Sequence, residues 1–555
     1  VNNMNGGAVR VVLARPRDFG AVPAGAPVQD PLGVGYLAAA LRARGHNVTI
    51  VDAHALDLDD ERTAQCIVAL DPTLVGLSLH SFADYSHCVA ISRALATLPN
   101  RPYCVWGGEH ATFHAERILW QHPGVDAVTL GEGEETMCAL VDYVVGRVSS
   151  PETGPLPIIQ PAGHDSVPGA VIRGRNGEPK HGGFRESVAD LDSIPLPHKD
   201  IVELALAAGR PVSLSILSGR GCTHSCSFCT AHEFMRLAGG IVWRRRSVKC
   251  VIDELQALTE RYLSHPLVHP VVQFQDVIFM GTTPASKRWI HEFVDEMERR
   301  KMRVPFYCMS RADAILANAE ILPRLVAVGL WSIEMGIEAG VDRILGLYNK
   351  LNSSDDNQRA VALMRRLGIT FDASGYIMFD PRMTLDELRE NALHLSRFGA
   401  ATWDFFVTRL QLYPGTAVRE EMIARGAFDG AEDIGRTSGY PFEDPRVGAV
   451  AEHTAYYNMS IRELDLLLRD AKAVIATAVR GGTPIPHLLQ KGVDLVHKTY
   501  CGHLLQLADR AEQGEIHSVA ERLIEQFLSR VATLTKTLGD LLALEYRRPK
   551  SGLAA

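Results

Sequence analysis

Short apolar runs alternate with amphipathic stretches over most of the chain. Val9 to Leu13, Asn47 to Val51, Leu74 to Leu79, Tyr103 to Trp106 and Ala127 to Leu130 have the length and β-branched content of buried strands. Helical spacing fills the gaps at Gly33 to Arg44, near Glu61 to Ala69 and near Tyr85 to Leu98. Strands and helices in alternation predict a parallel, doubly wound Rossmann-like sheet over residues 1–150, whose ligands sit beyond the carboxyl ends of its strands. From about 151 to 210 the pattern breaks into Pro, Gly and polar residues and reads as a linker carrying no chemistry.

Alternation resumes over 211–425. Strands are expected at Val212 to Leu217, Val271 to Asp276, Pro305 to Ser310, Leu330 to Glu338, Ile369 to Phe379 and Trp403 to Tyr413. Helices are expected near Val248 to Leu258, Trp289 to Arg300, Ala314 to Val328, Asp355 to Leu367 and Leu385 to Phe398. Six strands fall short of the eight that close a TIM barrel. Residues 426–555 carry three long helical patterns, Ile461 to Val479, Leu488 to Ala508 and Ile516 to Tyr546, and read as a helical C-terminal domain capping the substrate.

Composition changes this picture little. The chain has 555 residues, with 57 basic and 65 acidic side chains for a net charge of −8, and nothing in it asks for nucleic acid. No apolar run approaches the ~18 residues of a membrane span, and no signal peptide is evident. Ten cysteines without a disulfide-like pattern agree with a reducing compartment, so a cytoplasmic location is expected. Cys66, Cys88, Cys104 and Cys138 lie in apolar stretches and read as core residues.

The chemistry concentrates in Gly221-Cys222-Thr223-His224-Ser225-Cys226-Ser227-Phe228-Cys229. Three thiols in eight residues are a metal site with one coordination position left open. One alternative is zinc, completed by His224 or His232. Other polar residues stay ambiguous: Asp276 at a strand end reads by itself as an N-cap or a loop salt bridge, and Arg244 to Arg246 could suggest a phosphate site but, directly before an amphipathic helix, reads as a solvated or interdomain basic cluster. No G-x-G-x-x-G follows the first strand, which disfavours a nicotinamide fold.

The cysteine spacing with Phe228 before the last thiol, followed by a β/α pattern, resembles the radical S-adenosylmethionine (SAM) enzymes. The turns Gly76-Leu77-Ser78, Gly107-Gly108 and Gly131-Glu132-Gly133-Glu134 in the preceding domain resemble the cobalamin-binding domain of its cobalamin-dependent (class B) methyltransferase members. The resemblance implies an open (β/α)6 barrel in which Cys222, Cys226 and Cys229 hold a 4Fe-4S cluster. It implies that Glu338, in Gly336-Ile337-Glu338, contacts the methionyl amine, that Ser310 and Arg311 reach the carboxylate or ribose, that Phe228 and the Tyr413 segment flank adenine, and that Asp276 faces the substrate or cofactor as the alternative to an N-cap or loop salt bridge. Cobalamin would meet Ser78, His80 and Ser81, then Gly107, Gly108, Glu109 and His110, then Gly131, Glu132 and Gly133. Asp52-Ala53-His54 mimics a cobalt-binding signature but follows the second strand, so cobalamin is expected without a histidine ligand, over the loop Arg15 to Gly20.

The implied reaction uses one SAM to methylate Co(I)alamin and another as the source of a 5′-deoxyadenosyl radical. The substrate radical then collects the methyl group, on a small natural-product molecule, free or held on a carrier protein, with electrons from a flavodoxin- or ferredoxin-type donor. The alternatives are ring formation or oxidative rearrangement without methyl transfer, and a non-enzymatic cobalamin sensor with a zinc site.

Overall fold

The computed structural model describes residues 8–17, 27–148, 166–237, 241–373, 375–399, 402–429, 434, 439–454 and 461–547. Its first sheet has seven strands. Five are parallel, in the spatial order Asn47–Asp52, Arg10–Arg15, Leu74–Ser78, Tyr103–Gly107, Ala127–Thr129. The order reverses between Arg10–Arg15 and Leu74–Ser78, which opens a crevice at the carboxyl ends of those strands. Leu13, Val75, Leu77, Val105 and Trp106 are buried, so both faces are covered by helices, as a parallel sheet requires.

The stretch expected only as a crossing does more than cross. Ala170–Arg173 and Pro179–His181 form an antiparallel hairpin that extends the first sheet beyond Ala127–Thr129. Their few residues, flanked by Gly169 and Gly177, carry too little periodicity to stand out. The Pro-rich residues 151–165 lie outside the described residues.

The second sheet runs Ser215–Ile216, Val272–Phe274, Phe306–Arg311, Leu330–Gly336, Thr370–Asp372, all parallel. Flanking helices start and stop on local signals. Thr384 and Glu387 form a reciprocal capping box before Leu385–Phe398, and Gly399 ends that helix in the left-handed region. The expected sixth strand, Trp403 to Tyr413, is corrected: Trp403–Val407 is a helix, and only a bridge between Phe379 and Arg409 continues the sheet. Aromatic residues gave Trp403 to Val407 a strand-like composition. The helix is set instead by a distant carboxylate, Asp465, which accepts the Trp403 N–H at 3.1 Å. The helix expected at Ala314 to Val328 is likewise two, Ala312–Ala317 and Leu322–Val328, the second with Pro323 in its first turn.

Three long helices, Arg462–Arg480, His487–Glu512 and Ile516–Arg547, complete the described chain. Arg480 lies over the Trp331 ring at 3.7 Å and donates to the Gly368 carbonyl, anchoring them to the second sheet. No helix among the described residues is long and apolar enough to cross a membrane.

Candidate functional site

The three-cysteine loop follows a short strand, Gly219–Gly221, paired antiparallel with Trp243–Arg245. Gly221 sits at φ +82°, a region that favours glycine, and a Cβ there would run into the Val242 carbonyl. The loop is then gripped from two sides. Ser227 N–H donates to the Tyr348 carbonyl at 2.9 Å, its hydroxyl donates to the Leu347 carbonyl at 2.8 Å, and its own carbonyl accepts Val418 N–H at 2.9 Å.

Cys222, Cys226 and Cys229 are free and half-buried, and all ten cysteines are free thiols. Burial pushes the Cys229 thiol up to about 12 and raises Cys222, which the positive charges of Arg311 and Lys350 pull back. Among the described residues no three His, Cys, Asp or Glu side chains are gathered around one ion, so the loop is judged by its donor chemistry. That chemistry fits an iron-sulfur cluster and its cofactor. Three thiols share one loop, and Arg311 donates to Cys226 Sγ at 3.4 Å through Nη1 while its Nη2 is buried without a partner.

Glu338 is 5% exposed, holds Lys350 Nζ on Oε1 at 2.6 Å, and leaves Oε2 buried without a partner. A buried acceptor and a buried donor left open beside the thiols suit a zwitterionic ligand. Gly336 stands against this pair, since a Cβ there would come within 2.7 Å of Glu338 Oε1 and 2.9 Å of Lys350 Nζ. Ser310 is buried and directs its hydroxyl to the Met280 carbonyl at 3.4 Å. The Phe228 ring meets Tyr348 edge-on, 5.2 Å between centroids. Tyr413 is half-buried, its phenol raised by burial and by the nearby Glu109 and Cys229.

A cavity of about 660 Å³ lies at the carboxyl ends of the first sheet. Ser78, His80, Ser81, Gly107, Gly108 and Glu109 line one part of it, and Gly131, Glu132 and Gly133 another. Gly108 has φ +115°, and a Cβ there would come within 2.7 Å of the Leu79 carbonyl, so only glycine gives this floor. A floor of bare backbone fits a broad, flat ligand such as a corrin. A further part of the wall comes from the start of the second α/β domain, with Leu217, Arg220, Phe234, Met235 and Gln275.

Several expected contacts fall elsewhere. His110 turns away from the cavity, donating through Nε2 to the Ile434 carbonyl at 2.7 Å and packing on His114. Burial pushes both imidazoles down, His114 to about 3. Glu132 borders the cavity, but its carboxylate is taken by Arg220 at 3.0 Å and Arg244 at 2.6 Å. Burial alone would raise this carboxyl; the two guanidinium groups outweigh it and hold the group below its usual range. Ser81 spends its hydroxyl on Asp84 in a capping box. His54 is buried, and its carbonyl accepts Arg210. Of the loop Arg15 to Gly20, Arg15 lines the cavity and residues 18–20 lie outside the described residues.

Asp276 is buried against the Ser218 hydroxyl at 2.6 Å and N–H at 3.0 Å. Burial raises it, against Arg245. Of the two readings of Arg244 to Arg246, solvated or interdomain, the structure has the interdomain one: buried Arg244 pairs with Glu132 across the two domains, half-buried Arg245 lies over Trp289 at 4.3 Å, and buried Arg246 pairs with Glu254 at 2.5 Å.

Sequence patterns missed Lys350 and Arg220, and placed Glu134 in a cavity turn without its partner. Arg220 donates to Glu134 at 2.6 Å as well as to Glu132. Thr230, directly after Cys229, donates to Glu109, a second tie between the cluster loop and the cavity. Each of these partners is remote in sequence, so no local spacing reveals it.

Comparison with known proteins agrees with both halves. Residues 26–141 match the B12 binding domain family and residues 216–395 the radical SAM superfamily. The chain is 29% identical over 348 residues to an anaerobic magnesium-protoporphyrin IX monomethyl ester cyclase of Rubrivivax gelatinosus, across 62% of this chain and 58% of that protein. It thus spans little more than half of that relative. It is 28% identical over 401 residues to an uncharacterised methyltransferase of Pyrococcus horikoshii, across 71% and 78% of the two chains. The fold resembles that of OxsB, a cobalamin-dependent SAM radical enzyme solved with aqua-cobalamin and SAM bound, at TM-score 0.70 and 18% identity over 98% of this chain and 80% of that one. The chain thus joins a B12-binding domain to a radical SAM domain, with a 4Fe-4S cluster, SAM and cobalamin as the cofactors, the combination that characterises the cobalamin-dependent radical SAM enzymes.

Proposed function

We propose that this enzyme is a C-methyltransferase acting on an unactivated carbon of a small molecule. The observation that carries the reading is the shared cavity: the backbone floor at Gly107 and Gly108 lines it together with Arg220, Phe234, Met235 and Gln275. A substrate held there would lie between the two cofactor sites. When bound, the cluster with SAM supplies one-electron hydrogen abstraction and cobalamin supplies methyl transfer, chemistry that no acid or base side chain could perform on such a carbon.

The chain's part is to hold and exclude. Cys222, Cys226 and Cys229 would ligate iron, and Glu338 and Arg311 would take the amino-acid end of SAM. Phe228 and Tyr413 would flank its base. Gly107, Gly108, Gly131 and Gly133 would let a corrin approach, with no histidine from Asp52-Ala53-His54 reaching cobalt. Met235 and Phe234 would keep water from the reacting carbon. A reduced, reconstituted enzyme should release both S-adenosylhomocysteine and 5′-deoxyadenosine and a product heavier by one CH₂. Absence of both by mass spectrometry, with substrate turned over, would sink the proposal.

A second reading is ring formation without methyl transfer, favoured by the similarity to the Rubrivivax cyclase. It yields 5′-deoxyadenosine with no gain of CH₂. Reducing electrons are assigned to a flavodoxin- or ferredoxin-type donor, and the substrate is free or carried on a protein.

A further inference from the structure

We propose that Lys350 is a positioning residue: by occupying Oε1 of Glu338 it leaves Oε2 as the acceptor for the methionyl ammonium of SAM. This rests on the reading of Glu338 as that acceptor. The ion pair is 2.6 Å long and both side chains are nearly enclosed, at 4% and 7% exposure. A carboxylate buried this deeply is costly without a counter-charge. Lys350 supplies that charge, and it does so on one oxygen only.

The backbone around the pair is arranged for it. Glu338 sits at φ +65°, which residues with a side chain seldom adopt. Such strain persists where the surroundings impose it, and it concentrates at functional sites. Gly336 is bare beside Oε1 and Nζ, and Gly375 is bare beside Oε2, where a Cβ would come within 2.8 Å. Gly375 therefore leaves room beside the buried, unpartnered Oε2 that a side chain there would fill.

Lys350 also belongs to the turn that grips the cluster loop. The Tyr348 carbonyl accepts Ser227 N–H at 2.9 Å, and Asn349 Nδ2 donates to the Ser225 carbonyl at 2.9 Å. Asn349 takes φ +50° to turn the chain, and Lys350 N–H closes the turn on the Leu345 carbonyl at 3.0 Å. Three consecutive residues therefore hold the thiol-bearing loop with two members and Glu338 with the third. The lysine sets the acceptor in register with the cluster.

The test is SAM affinity, measured by equilibrium binding to the cluster-loaded, unreduced enzyme. It is accompanied by the EPR signal of the reduced cluster with and without SAM, and by thermal melting as a folding control. Lys350→Met should weaken SAM about ten-fold or more, the scale of losing a supporting partner. It should reduce the SAM-induced change in the EPR signal and leave iron content unchanged. Glu338→Gln should weaken SAM similarly, and the double variant should bind no worse than Glu338→Gln alone, because residues acting through one another are non-additive.

Unchanged affinity in Lys350→Met with weakened Glu338→Gln overturns the role of Lys350 and leaves that of Glu338 standing. Unchanged affinity in Glu338→Gln overturns the reading of Glu338 itself. Additive losses would mean that Lys350 touches the cofactor directly, which also overturns the proposal. If Lys350→Met does not fold, Lys350→Gln, which keeps a hydrogen-bond donor for Oε1, should fold and lose less affinity than Glu338→Gln; an equal or larger loss overturns the proposal.

Discussion

Gly336 shows how a missing side chain can matter as much as a present one. Adding a methyl there would press on Glu338 Oε1 and Lys350 Nζ together, and these enclosed side-chain ends could yield only by disturbing the ion pair they make with each other. Overpacking of this kind costs about 1–3 kcal/mol. Gly336→Ala should therefore raise the dissociation constant for SAM about ten-fold, the equivalent of ~1.4 kcal/mol, while cluster absorbance and cobalamin content stay constant. Unaltered SAM affinity in a folded variant would refute it. At this scale the sequence was legible where chemistry is local. Three thiols in one loop and Gly336 to Glu338 on one strand end can be read from spacing. Lys350 could not be, because the helix Asp342–Leu347 lies between it and its partner and nothing in that helix announces the return.

At the scale of elements, the helix Trp403–Val407 hangs on one carboxyl group of a distant helix. Asp465 accepts the Trp403 N–H and, at 2.9 Å, the Tyr500 hydroxyl. Burial, with the neighbouring Asp404 charge, pushes it up to about 8. Unfolded, the same group titrates near ~3.9. Between these values the folded chain keeps a proton that the unfolded chain has released, so this group's contribution is full below about pH 4 and declines as pH rises toward 8. The melting temperature should fall between pH 5 and pH 7.5. Asp465→Asn, which keeps the shape and an acceptor without the proton, should flatten that slope; an equally steep slope in the variant would exclude Asp465 as its source. This dependence explains the misread strand. The aromatic residues of 403–407 carry the pattern of a sheet, and the competing bond comes from about sixty residues away. The long C-terminal helices were legible because they need no distant partner to declare their period.

For the molecule as a whole, the two cofactor domains meet through charge. Arg220, two residues before Cys222, reaches Glu132 and Glu134 beside the cavity, and Arg244 from the paired strand returns to Glu132. All four side chains are at most 12% exposed. Removing one partner of a buried pair costs about 3–5 kcal/mol, and Glu132 would keep Arg244, so Arg220→Gln should cost about 3 kcal/mol. We expect a lower melting temperature and reduced cobalamin retention after gel filtration, read from its visible absorbance per chain. Full retention at unchanged stability would show that the contact is idle. The order of domains was legible from their strand patterns and glycine turns. Their junction was legible only as one of two alternatives: Arg244 to Arg246 read as solvated or interdomain, and what decides between them is a set of acidic and aromatic partners scattered from Glu132 to Trp289.

The position of Arg220 also bears on recombination between relatives. A chimera joined between residues 150 and 210 would take its cavity loops from one parent and its cluster loop from another. Unless both parents share this charge pattern, such a hybrid buries acids without bases. With the Thr230–Glu109 bond included, the natural unit of exchange runs from Glu109 through Arg245 as one block, with the seam placed on either side of it.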